Sequence, residues 1–313
     1  MTRAFVCPGQ GSQAVGMGVE LAAAFAAARE VLEEVDDALK QKLSKLMAEG
    51  PQDALTLTEN AQPALMAVSL AVVRVIERES GKRLADLAAF VAGHSLGEYS
   101  ALAAAGAISI ADAARLLKLR GQAMQKAVPI GEGAMAALLG ADLDQAKAIA
   151  DEARKGQVCD IGNDNGPGQV VLSGAKAAID RAIQIAPSKG VKRAVPLPVS
   201  APFHSALMAP AAEAMQEALA KVDMRQPGVP VLANVRAAPV SDPQEIKKLL
   251  VQQVTGMVRW RECVLAMVER GVTREAEVGA GKVLTGLAKR IHKDLDAVAV
   301  HTPAEVEVFL KTL

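Results

Sequence analysis

The stretch Phe90–Gly106, FVAGHSLGEYSALAAAG, decides how this chain is read. An apolar run ending at Ala92 meets an alanine-rich run, and at the junction Ser95 stands between Gly93 and Gly97. Glycine weakens the interior of a helix or strand, so a segment built only to pack has no use for two of them here. Gly93-His94-Ser95-Leu96-Gly97 fits G-x-S-x-G, the elbow in which a sharp strand-to-helix turn exposes a serine hydroxyl. The five residues alone are a weak signal, and a small residue in a tight turn is the competing reading. The apolar run before them and the helix-forming LGEYSALAAAG after them supply the strand and helix that the elbow requires.

Working outward from the elbow, short β-like runs alternate with longer helical ones. Thr2 to Cys7 reads as a strand, the glycine loop PGQGSQAVGMG follows, and helices run through Met47. Pro63 to Glu77 reads as a buried helix, Ala88 to Ala92 as a buried strand, and Leu96 to Ala105 and Ile110 to Ala127 as helices. This alternation predicts an α/β fold, a large α/β-hydrolase-like domain with a parallel sheet. From Ile130 to Val199 the order becomes β-α-β-β-α-β, that of a ferredoxin-like unit, with a tight turn at Asn165-Gly-Pro-Gly. The expected organisation is therefore a discontinuous large domain, 1–129 and 200–313, with a small ferredoxin-like domain inserted at 130–199. The cleft between them is the expected site.

Composition narrows the function. The 313 residues carry 35 Lys plus Arg against 35 Asp plus Glu, which argues against a general polyanion-binding surface. One Trp, one Tyr and five Phe leave almost nothing on which to stack bases, so no nucleic-acid partner is expected. Cys7, Cys159 and Cys263 are odd in number and far apart, which reads as a reduced, cytoplasmic protein without a disulfide or zinc framework. MTRAFVCPGQGSQ has no signal-peptide core, and the longest apolar run, Pro63 to Glu77, is too short to span a bilayer, so no membrane is expected either.

A serine hydroxyl needs a base to become a nucleophile near neutral pH. Of the four histidines, His292 and His301 lie in segments that read as solvated surface, and His94, beside the serine in a tight turn, is expected to point away and to pack or hydrogen-bond locally. His204, in LPVSAPFHSALMAPA, sits in a proline-punctuated loop where the inserted unit returns to the large one, as a cleft residue should. The acids between serine and histidine fall mostly in helical surface patterns, with Asp160 and Asp164 in the inserted unit. A Ser95–His204 dyad, with the imidazole oriented by an amide or carbonyl, is the resulting expectation.

FVCPGQGSQAVGMG, GHSLGEYSALAAAG, LRGQAM, NDNGPGQVVLSG, APFHSALM, VRW and EVGAGKVLTGLAKRI together resemble the malonyl-CoA:acyl carrier protein transacylases of fatty-acid synthesis, from about Arg3 to about Ile291. The resemblance implies that Ser95 carries the acyl group and His204 serves as base and then acid. It places an oxyanion hole at the backbone N–H groups of Leu96 and Gln10, which gives PGQGSQ a purpose. Residue type alone does not choose between Arg115 and Arg120 as a carboxylate ligand; the resemblance falls on Arg120. It also falls on Gln253, beside Gln252, for orienting the histidine, and on Phe203 for crowding out an α-methyl branch. Asn163 and Asn165 match a segment near the cleft, and Ala280 replaces the family's usual proline. The resemblance implies malonyl-CoA as substrate, the phosphopantetheine of acyl carrier protein as acceptor, no bound cofactor and a monomer. Lys282, Lys289, Arg290 and Lys293 could form a basic rim for an acidic carrier. A polyketide acyltransferase and a serine hydrolase of similar fold are the alternatives.

Overall fold

The computed structural model describes residues 2–313. Ten strands form two sheets: β1 (Arg3–Cys7), β2 (Phe90–Gly93), β3 (Gly133–Leu139), β4 (Cys159–Gly166), β5 (Gln169–Ala175), β6 (Arg193–Pro196), β7 (Val231–Ala233), β8 (Ala238–Val240), β9 (Arg274–Val278) and β10 (Asp296–Val300). The larger sheet has the order β10-β9-β1-β2-β7-β8, parallel except for the β7–β8 hairpin. Helices bury both of its faces, as the continuous apolar runs of its strands require. Phe5 and Cys7 face the core formed with the helices Thr58–Ser80, Leu96–Ala104 and Ile110–Ala127. Ala4 and Val6, one residue out of phase, face Trp260, Val264 and Leu287 on the other side.

Parallel register sets the site. Cys7 at the carboxyl end of β1 lies opposite Gly93 at the carboxyl end of β2, so the PGQGSQ loop and the elbow emerge side by side. Ligands of open α/β sheets bind outside these carboxyl ends. The two elbow glycines are required by close approach: a Cβ on Gly93 would lie 1.9 Å from the Gly97 carbonyl oxygen, and one on Gly97 2.3 Å from that of Cys7.

The smaller sheet is antiparallel, with the order β4-β5-β3-β6. Helices Leu143–Arg154 and Lys176–Ile185 cover one face around Leu138, Ile149, Leu172 and Ile179. Met135, Ala137 and Val171, on the opposite face, join the core of the larger sheet. The two units are also bonded through backbone, from Asp164 N–H to the Val258 carbonyl and from Val258 N–H to the Gly162 carbonyl, each 2.9 Å. The last strand expected of the unit ending at Val199 is short: β6 ends at Pro196, and Leu197, Pro198 and Val199 beyond it line a cavity.

Candidate active site

A cavity of about 400 Å³ lies between the two sheets, and Gln10, Ser95, Leu96, Arg120, Phe203 and His204 all line it. Ser95 caps the helix Leu96–Ala104 with φ 54° and ψ −109°, a left-handed conformation strained for a residue with a side chain. Ser95 Oγ stands 2.8 Å from His204 Nε2, while His204 Nδ1 stands 2.9 Å from the Gln253 carbonyl oxygen. A carbonyl can only accept, so Nδ1 carries the proton and the Nε2 lone pair faces the serine, the tautomer a base needs. The orienting group anticipated for the dyad is thus the backbone carbonyl of Gln253, whose side chain is fully buried, and not Gln252. Burial above all, and then the charge of Arg120, push the His204 imidazole down to about 3 against the opposing pull of the Gln253 carbonyl.

Arg120 is 1% exposed. Its Nη1 donates to Gln62 Oε1 at 2.8 Å, and its Nη2 to Gln253 Oε1 at 2.9 Å and to Ser95 Oγ at 3.0 Å. The guanidinium carbon also lies 5.6 Å from the centre of the Tyr99 ring. These hydrogen-bond partners are all neutral, so a buried cation faces the cavity with donors to spare. Burying such a charge is costly unless an anion joins it. Arg115 is excluded from this role, because it is exposed and paired with Asp112 at 3.2 Å.

Leu96 opens its helix, so its N–H has no intrahelical acceptor and the positive end of the helix dipole lies beside Ser95. The Gln10 side chain is held from behind by the Thr58 hydroxyl, which donates to Oε1 at 2.8 Å. Phe203 is 9% exposed and lines the cavity together with Met124 and Met135.

Two expectations about the other histidines need correction. His94 packs its ring against Trp260, as one half of its expectation had it, but its hydrogen bond is not local: Nε2 reaches Asn165 Oδ1 at 2.8 Å across the cleft. Asn165 therefore has a use beyond its turn. His292 and His301 are only partly exposed, and His301 Nδ1 lies 3.0 Å from Glu305. Asp160 and Asp164 are engaged elsewhere, Asp164 with Arg261 and Asp160 with Arg154 and the Ala206 N–H. Sequence reasoning missed Gln62, Glu98 and Asn234, each buried and bonded to the site. The available signal was a polar residue on an apolar helix, as for Gln62 in NAQPALMAVSL.

The chain matches the acyl transferase domain family over residues 4–304. It is 45% identical over 311 residues to the malonyl CoA-acyl carrier protein transacylase of Bacillus subtilis, covering 99% of this chain and 96% of that one. The chain belongs to the malonyl CoA-acyl carrier protein transacylases. The crystal structure of the acyl-carrier-protein-S-malonyltransferase of Bartonella henselae superposes with a TM-score of 0.97 at 57% identity, covering 100% and 99% of the two chains. A malonyl-transacylase solved in complex with a type II PKS acyl-carrier protein superposes with a TM-score of 0.96 at 42% identity over 100% of both chains. On this transacylase scaffold Lys282, Lys289, Arg290 and Lys293 are all exposed. Arg290 reaches Gln169, a cavity-lining residue, at 3.4 Å, and a Cβ added to Gly281 would lie 3.4 Å from that of Ser12 in the first glycine loop. Among the described residues no helix is long and apolar enough to cross a membrane.

Proposed function

We propose that the chain transfers a malonyl group from malonyl-CoA to the phosphopantetheine thiol of acyl carrier protein through a malonyl ester on Ser95. The observation that carries this reading is the buried Arg120 guanidinium, which touches Ser95 Oγ beside His204 and has only neutral hydrogen-bond partners. An acyl chain ending in a carboxylate supplies the missing anion at the reacting centre.

In the first half-reaction His204 Nε2 takes the Ser95 proton while Oγ attacks the thioester carbonyl, and the Leu96 and Gln10 N–H groups receive the negative oxygen. The carbon–sulfur bond then breaks, and the imidazolium returns its proton to the departing thiolate of coenzyme A. In the second, the phosphopantetheine thiol gives its proton to His204 and attacks the ester carbonyl, the ester carbon–oxygen bond breaks, and the imidazolium returns the proton to Ser95 Oγ. No metal or bound cofactor has a step in this scheme. The carboxylate helps the base: by offsetting the Arg120 charge it moves His204 back toward its ordinary range.

Further parts of the reading follow. Residues 130–199 form an inserted ferredoxin-like domain and 1–129 with 200–313 an α/β-hydrolase-like one, supported by the smaller sheet's strand order and its separate apolar core. Phe203 excludes an α-methyl branch by bulk. The exposed lysines and arginine around Lys282–Lys293 receive the acidic carrier, and the protein acts as a cytoplasmic monomer. The complex known for a type II PKS relative supports docking of a carrier and leaves service to a polyketide carrier as the second reading.

Intact-protein mass spectrometry after brief exposure to malonyl-CoA should show one malonyl adduct, absent in Ser95→Ala and discharged by holo-acyl carrier protein. Discharge to free malonate without carrier would make the protein a hydrolase, and an adduct on a cysteine would remove the mechanism.

A further inference from the structure

The strained backbone of Ser95 is held at both ends by side chains that the proposed reaction does not use. Its N–H donates to Asn234 Oδ1 at 2.8 Å, and its carbonyl accepts from Gln253 Nε2 at 3.0 Å. Both residues converge on one oxygen, Asn234 by its backbone and Gln253 by its side chain: Glu98 Oε2 accepts from the Asn234 backbone N–H at 3.0 Å and from Gln253 Nε2 at 2.7 Å. Asn234 Nδ2 in turn donates to the Gly93 carbonyl at 2.8 Å, fixing the strand side of the elbow. Glu98 is 2% exposed and Asn234 and Gln253 are fully buried, so water does not compete for these bonds. Glu98 lies in the first turn of the helix that the elbow opens, three residues after the serine.

We infer that Glu98 is a positioning residue for acyl transfer, acting through Asn234 and Gln253 to hold the Ser95 backbone in its attacking conformation. The inference rests on the proposed role of Ser95. A φ of 54° at a serine persists only where its surroundings over-determine it, and this clamp supplies the determination. Gln253 also presents its carbonyl to His204 and its Oε1 to Arg120. One carboxylate oxygen thus stands one hydrogen bond behind the groups that orient nucleophile, base and cation. Glu98 itself is absent from the cavity wall, so its effect belongs to the geometry of attack and not to substrate affinity.

The test compares wild type with Glu98→Leu, Asn234→Ala and the double variant, in full-length protein matched for folding by circular dichroism. Glu98→Leu fills similar space but removes the oxygen that accepted both bonds. Rates of Ser95 malonylation and of transfer to holo-acyl carrier protein are read against malonyl-CoA concentration. Each single variant should lower kcat about 10- to 100-fold, with KM changed less than about threefold. The double variant should lose little more than the worse single one, because both break the same clamp. Unchanged kcat in Glu98→Leu, a loss that falls on KM, or additive losses in the double variant would each overturn the inference. Should Glu98→Leu fail to fold, Asn234→Ala decides alone by the same split between kcat and KM. Absence of an adduct on wild-type Ser95 would instead remove the mechanism on which the inference rests.

Discussion

Replacing Arg120 with alanine separates the reading of this site from a generic serine acyltransferase. Arg120 spends three of its N–H groups on Gln62, Gln253 and Ser95, leaving two of the five a guanidinium carries. In Arg120→Ala a malonyl carboxylate would enter a buried cavity with no cation, and truncating one partner of a buried charge pair costs about 2 to 5 kcal/mol. At about 1.4 kcal/mol per decade, that is roughly thirtyfold to several thousandfold in kcat/KM for malonyl transfer. An acetyl thioester has no carboxylate to strand, so its transfer should change far less. The ratio of malonyl to acetyl rates on one enzyme preparation is the assay. A second readout comes from His204. Arg120 is the second cause of its low pKa after burial, so removing the cation raises it. The acidic limb of acetyl transfer, where His204 becomes protonated and lost as a base, should therefore move to higher pH in the variant. Equal slowing of malonyl and acetyl transfer would refute carboxylate binding by Arg120, and no slowing of either would remove Arg120 from the site.

His204→Ala should slow acylation of Ser95 and transfer to the carrier alike, each by about 10²- to 10⁴-fold, since one imidazole serves both; slowing of one step alone, followed by rapid quench, would contradict the shared role. In the free enzyme burial and then the Arg120 charge push the imidazole down to about 3, so the acid limb of kcat/KM for malonylation should fall below the ordinary histidine range. Glu275, fully buried on β9, has no partner for either carboxyl oxygen among the described residues and is pushed up to about 8, by burial first and then by Glu277. The folded protein keeps that proton where the unfolded chain sheds it, so this contribution is full below about pH 4.5 and is lost as pH rises through about 8. Glu275→Leu should accordingly stabilise the protein by about 1 to 4 kcal/mol near pH 8 and flatten the decline of the urea midpoint between pH 6 and 8.5; an unchanged slope would refute the burial argument. Gly97→Ala drives a Cβ to 2.3 Å from the Cys7 carbonyl oxygen and should cost at least about 3 kcal/mol along with Ser95 acylation, both visible in a thermal melt and a mass spectrum.

The sequence by itself determined the elements and pointed to the serine and histidine that the proposed reaction uses. Strand and helix periods, the glycine pair and the scarcity of histidines are local properties, and they led to an α/β fold, to Ser95 and to His204 without any contact being known. The helix Ile110–Ala127 falls where the periodicity placed it, because apolar spacing and the Ser109 cap both act within a few residues. What only the tertiary structure decided are the choices between near-equivalent neighbours. Arg115 and Arg120 are the same residue type on one helix, five positions apart; burial against Gln62 and Tyr99 makes Arg120 the charge at the serine, while Arg115 stays with Asp112. Gln253 is distinguished from Gln252 by a backbone carbonyl, which every residue possesses and no side chain advertises. Glu98 and Asn234 meet across 136 positions of chain because β2 and β7 are neighbours in a parallel sheet. That adjacency is a consequence of how the whole chain buries its strands, and no window of sequence around either residue contains it.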